Sequence, residues 1–318
     1  MTTNAIEHQI TEALRLGECA VARTHAETAA FSRRVKKGTV VRLYANMYLP
    51  TEAVHAMDAR TLILHVVRTL QHRHPTWVFT GATAAIVLGL ECPTPLSPLT
   101  IHTLSARRTP DADSTHLHCR LSQDFEVMEV DGIRVTRPSR TVLEALALHE
   151  MREVRGILDS ALRRGGMAVE DLLRELAHAP ELCLDSEARE LAERANPRCE
   201  NGGESYTDQT IWEMGFIAPM AQVEHIHPRT GATIRTDFEF RDDTGLFVVV
   251  ELDGQEKYVD PAMTKGLTVP EVVDQERDRQ DGLRALGATV VRTWFREVRE
   301  RHPLRRKLLD AHVPLRRH

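Results

Sequence analysis

The sequence predicts an α/β multidomain chain: a winged-helix head over residues 1–60, a small α+β middle over 61–180 and a C-terminal α/β/α core over 181–318. Three observations carry this. A length of 318 residues is enough for two or three domains that each bury a core. Hydrophobic residues at 42% and charged residues at 27%, with no low-complexity tract or solenoid repeat, exclude disordered and repeat architectures. Helical segments and a short hairpin open the chain, whereas two alternating strands, the second ending in two carboxylates, lie at 232–253.

In the head, residues 4–16 and 23–36 read as short helices, followed by Gly38 and brief strands at 39–44 and 47–49. That order puts Arg33, Arg34, Lys36 and Lys37 on the last helix and Arg42 on the wing. Residues 32–42 hold five basic groups and no acid, a pattern that suits DNA phosphates and equally a solvated helical face. The net charge is −5, with 21 basic and 20 acidic residues in 1–180 against 20 and 26 in 181–318, so basic character is local.

In the middle, residues 77–90 read as an apolar helix, and 99–104, 115–121 and 125–135 as short strands. A helix starts at Arg137 with Ser139 as its cap, and segments 154–164 and 169–177 complete a helical end without a catalytic constellation. Residues 180–184 form the boundary, and a helix at 185–195 opens the last domain.

The strand at 247–253 sets Phe247, Val249, Glu251 and Asp253 on one face and Val248, Val250 and Leu252 on the other, so it reads as central. Two buried neighbouring carboxylates call for shifted pKa values or a hard divalent cation, Mg²⁺ or Mn²⁺. A second strand at 232–240 and a turn at 241–245 form a hairpin; folded about Asp243 or Thr244, it sets position 237 opposite 251. Asp237, Glu251 and Asp253 then converge, Lys257 follows just beyond, and no matching cluster of arginines stands beside them in sequence. The alternative is that Asp253 merely starts a turn and Glu251 pairs with an arginine. A helix at 271–286 carries Glu276, Arg279 and Asp281, with Leu283 and Leu286 toward the sheet. His225 and His227 share a strand face at zinc-compatible spacing, but no third ligand is near, so they read as a solvent-facing pair.

Asp237-Phe238, Glu251-x-Asp253-Gly254-x-x-Lys257 and the run from Arg279 to Arg292 resemble the Vsr-like endonuclease domains of the PD-(D/E)XK superfamily, over roughly residues 184–300. The resemblance implies a restriction-endonuclease-like core whose first helix supplies Glu204. Asp253 stands where the superfamily's lysine would, Lys257 where relatives carry histidine, and Tyr206 and Ala288 replace an arginine and a tryptophan. Residues 35–50 resemble the N-terminal winged helix of AbiEi-type antitoxins, with Asn46 in place of a glycine, and the middle is similar to the AbiEi region that supports the head or meets a protein partner.

No segment has the pattern of a signal peptide or the length of a membrane span, and five scattered cysteines form no Cys-x-x-Cys pair, so a cytoplasmic chain with reduced thiols is expected. No phosphate loop or serine-hydrolase elbow occurs. The leading expectation is a magnesium-dependent endodeoxyribonuclease, of a defence or repair kind. Asp237 and Glu251, with Asp253, would hold the metal, Glu204 would orient water, and Lys257 would stabilise phosphorane charge. The second is a non-catalytic DNA-binding regulator, antitoxin-like, on an inactive nuclease fold.

Overall fold

The computed structural model describes residues 3–92, 100–106, 113–114, 116–253 and 269–317. It is mixed α/β and divides into two compact units, residues 1–149 with 166–192 and residues 150–165 with 193–318. Among the described residues no helix is long and apolar enough to cross a membrane.

The first unit opens with α1 (Thr3–Arg15), β1 (Ala20–Val21), α2 (His25–Lys36), β2 (Val40–Tyr44) and β3 (Met47–Pro50). The strands form a sheet in the order β1-β3-β2. Thr24 and Glu27 cap α2 reciprocally, which fixes where the helix begins. Asn46 turns the β2–β3 hairpin at φ 55°, a left-handed conformation that asparagine adopts more readily than most residues. Phe31 stacks on Tyr48 with ring centroids 4.3 Å apart and so ties α2 to the sheet.

Next come α3 (Thr51–Ala56), α4 (Ala59–Arg73), β4 (Val78–Phe79), α5 (Gly81–Val87), β5 (Ile101–Ser105), β6 (Asp113–Ser114), β7 (Leu117–Leu121), β8 (Val127–Val130), β9 (Ile133–Thr136) and α6 (Pro138–Leu146). The chain then enters α7 (Met151–Arg163), which belongs to the second unit, and returns for α8 (Val169–Ala177) and α9 (Asp185–Glu193). A six-stranded sheet runs β6-β7-β5-β4-β9-β8. Three details differ from the sequence reading. Residues 77–90 are not one helix, because Val78 and Phe79 pair in the sheet before Gly81, at φ 52°, starts α5. Residues 125–135 are a hairpin, turned at Asp131 and Gly132, both at positive φ, the geometry that a two-residue hairpin loop favours. Ser139 does not cap α6; Arg137 holds that position and Pro138 supplies the first helical residue.

The second unit adds α10 (Gly202–Glu213), β10 (Met220–Ile226), β11 (Thr233–Arg241), β12 (Phe247–Asp253), α11 (Val269–Ala285), β13 (Thr289–Trp294), α12 (Phe295–Glu300) and α13 (His302–Asp310) to α7. Its sheet order is β10-β11-β12-β13, antiparallel except for the β12–β13 pair, which is parallel with α11 in the crossover. One face of β12, with Val248 and Val250, joins Phe238, Phe240, Ile211 and Phe216; the other, with Phe247 and Val249, joins Leu283 and Ala288. A strand covered on both faces explains the unbroken apolar run at 247–250. Leu286, expected toward the sheet, is instead 36% exposed, since α11 ends at Ala285. Although α7 falls in the middle of the sequence division, it packs in this unit because Arg155 is buried against Asp208 and Gln209 of α10, each at 3.0 Å.

Candidate functional site

The β11–β12 register pairs Phe238 with Val250 and Phe240 with Val248, which centres the hairpin on Thr244 and, continued by one residue, sets Asp237 opposite Glu251. The half-buried Asp237 fixes this end of the ladder by accepting the Leu252 amide on Oδ2 at 2.7 Å. Glu251 and Asp253 are two residues apart on β12 and share a face, buried to 2% and 6% exposure. Contrary to the local sequence, arginines do reach them. Arg279 of α11 donates to Glu251 and, at 2.9 Å, to the Arg235 carbonyl. Arg292 of β13 grips both oxygens of Asp253, at 2.7 and 2.5 Å. The arginine on Glu251 is the alternative that the sequence left open, whereas Arg292, far along the chain, leaves no local signal beside Asp253.

Glu204 enters from the start of α10. Asn201 caps that helix by accepting the Glu204 amide at 3.0 Å and returns a bond from Nδ2 to Oε1 at 2.6 Å. Gly203 is needed here, since a Cβ would lie 3.1 Å from Asn201 Oδ1 and 3.6 Å from the Leu252 side chain of β12. The other Glu204 oxygen accepts the Glu200 amide at 2.7 Å and Gln222 Nε2 at 2.9 Å. Gln222 is the residue that sequence reasoning missed. It sits inside β10 at φ 55°, and the β10–β11 register pairs Ala221 with Phe238 and Val223 with Thr236, passing over Gln222 and Asp237. A left-handed glutamine in a strand is strained. Its amide thereby reaches Glu204, an arrangement that no residue pattern announces.

Burial raises the Glu204 carboxyl above its ordinary pKa despite the Glu200 amide, and the negative charge of Asp237 pushes the same way. Glu204, Asp237, Glu251 and Asp253 gather at this end of the sheet, with the guanidinium of Arg279 on Glu251 and that of Arg292 on Asp253. Among the described residues no three His, Cys, Asp or Glu side chains are grouped as a ready-made metal cage. Asp253, with both oxygens on Arg292, does not fit a ligand's role. Asp237 and Glu251, adjacent across the strand pair, offer the hard oxygen donors that a divalent cation takes.

The remaining predicted residues are dispersed. Lys257 lies outside the described residues, and so does the side chain of Glu276. His225 and His227 are not a solvent-facing pair: His225 bonds Glu239 at 2.6 Å, and His227 is buried and accepts the Arg229 amide at 3.1 Å. Gly282 was the available signal, because a Cβ there would lie 2.5 Å from the His227 ring. In the first unit Arg33, Lys36, Lys37 and Arg42 are exposed and Arg34 is half-buried; among the described residues no ion pair engages these five. No family model, curated protein or solved structure matches the chain.

Proposed function

We propose that the C-terminal unit hydrolyses DNA phosphodiester bonds with a divalent cation, Mg²⁺ or Mn²⁺, held by Asp237 and Glu251. The observation that carries this reading is the meeting of Glu204, Asp237, Glu251 and Asp253 where β12 ends, beside two half-exposed arginines. A cation bound there supplies a polarised phosphate and a water of lowered pKa. The chain's own groups do the rest. Glu204, raised in pKa and steadied by Gln222, holds or accepts a proton beside Asp237. Arg279 and Arg292 hold Glu251 and Asp253 in place and present cationic edges to a phosphate. Lys257, following the strand, would stabilise charge on the phosphorane. The N-terminal helices and hairpin act in this reading as a winged-helix head that takes duplex DNA through Arg33, Arg34, Lys36, Lys37 and Arg42.

A second reading, a DNA-binding regulator with an inactive core, is favoured by the pairing of Glu251 and Asp253 with arginines. Cleavage separates the two. Supercoiled, linear and single-stranded DNA should be cut in Mg²⁺ or Mn²⁺ and not in EDTA, and Asp237→Asn and Glu251→Gln should each abolish cutting while DNA binding persists. Binding without cutting of any substrate would favour the regulator.

A further inference from the structure

The chain has three tryptophans, and two of them are engaged by the fold. Trp77 stacks on His74 with ring centroids 4.1 Å apart, and the Arg194 and Arg316 guanidiniums lie 4.3 and 3.3 Å from the Trp212 ring. Trp294 is different. It is 38% exposed, and its indole makes no ring contact or hydrogen bond among the described residues. A large apolar ring left partly exposed among the described residues forgoes part of the stabilisation that burial gives.

That position is the last residue of β13, which the parallel register pairs with Asp253. The indole therefore stands at the same strand end as Glu251 and Asp253, the side of a parallel pair where ligands of α/β sheets bind. Its backbone is held firmly. The Trp294 amide donates to Glu297 at 3.1 Å, and the same carboxylate takes Thr293 Oγ1 at 3.1 Å and Lys307 Nζ at 2.6 Å. Arg296 and Arg299 follow on α12 with exposed side chains, Arg296 in a long solvent-exposed pair with Glu300 at 3.7 Å that a phosphate can displace, and Arg305 and Arg306 are exposed on α13. An aromatic face beside a run of cations is the chemistry by which proteins hold single nucleic-acid strands, the base on the ring and the phosphates on the arginines. A base inside a duplex is stacked on both sides and cannot offer its face to an indole unless it is turned out.

We infer that Trp294 is a positioning residue, a stacking platform for an unpaired base of a DNA strand whose phosphates run over Arg296 and Arg299. The substrate class of the strand-end site is then single-stranded or locally unpaired DNA. This rests on the proposed function for its link to cleavage, whereas the binding claim stands by itself.

The test uses the full chain carrying Asp237→Asn, so that DNA stays intact, and measures the fluorescence anisotropy of labelled oligothymidylate of about 12 nucleotides, within the range of one single-strand site. Trp294→Ala should weaken this binding on the order of tenfold or more, and Trp294→Phe, which keeps a stacking ring, should restore most of it. Binding to a duplex of equal length should change far less, and an unaltered melting temperature shows that the variant is folded. Equal single-strand binding by the parent and folded Trp294→Ala overturns the inference, even if the wild type cuts DNA. Loss of single-strand binding in a chain that cuts nothing leaves the platform standing and removes the hydrolysis.

Discussion

Where α7 packs on α10, Arg155, Arg194, Asp159 and Asp208 form a cluster of two cations and two anions, and Arg155 and Asp159 are wholly buried. Where β12 and β13 end, Glu251 is paired with Arg279 and Asp253 with Arg292, and these arginine side chains are 26% and 35% exposed. One cluster is sealed; the other is open to solvent at its arginines. Both lie in the same unit, so the difference comes from what surrounds the charges. A buried network answers to folding, while carboxylates gathered at a partly exposed strand end are where the proposed cation would be taken up.

Breaking the sealed cluster should have the largest effect. Asp208→Ala leaves Arg155 with Asp159 alone and takes from Arg194 its carboxylate partner, and should cost about 3–5 kcal/mol by urea denaturation. Arg292→Met at the open end should cost clearly less, because water can reach Asp253 once the guanidinium is gone. Equal losses would erase the distinction between the two clusters.

A third group, made of cations alone, extends the comparison to the first unit. Replacing Arg33, Arg34, Lys36 and Lys37 together with Ala should lower affinity for duplex DNA of any sequence and flatten its salt dependence, since four phosphate contacts and their released counterions are removed. If the quadruple variant shifts duplex DNA as well as the parent does, the patch is a solvated helical face.

The smallest effect is a pH dependence at Glu204. Burial, assisted by Asp237, raises its folded pKa, so its contribution to stability is full below the ordinary carboxylate range and is lost as pH rises through the raised value. Glu204→Gln does not titrate. The stability difference between variant and wild type should therefore move in favour of glutamine as pH rises from about 4.5. A difference that stays constant with pH would place the shift elsewhere.

Parts of this architecture were legible because local chemistry dictates them. The apolar run at 247–250 announced a strand buried on both faces, and the turn at 241–245 fixed the register that brings Asp237 to Glu251. The hairpin at Asp131–Gly132 was equally readable from its turn residues and was passed over. What could not be read was long-range. Arg292 meets Asp253 only through the parallel β12–β13 pairing, and α7 joins α10 through Arg155, neither of which leaves a local pattern. Gln222 was hidden for another reason: its left-handed backbone contradicts its own propensity, so only tertiary structure holds it.

The central claim, that the open cluster takes a divalent cation through Asp237 and Glu251, is tested most directly by thermal melting of the wild type, Asp237→Asn and Glu251→Gln with Mg²⁺ or Mn²⁺ titrated in. At about a hundredfold excess over Kd, a cation bound to the native state alone should add about 2.7 kcal/mol of stability to the wild type, and each variant should lose most of that gain. A wild-type melting temperature that neither metal moves, or a rise that survives intact in Glu251→Gln, would contradict the claim.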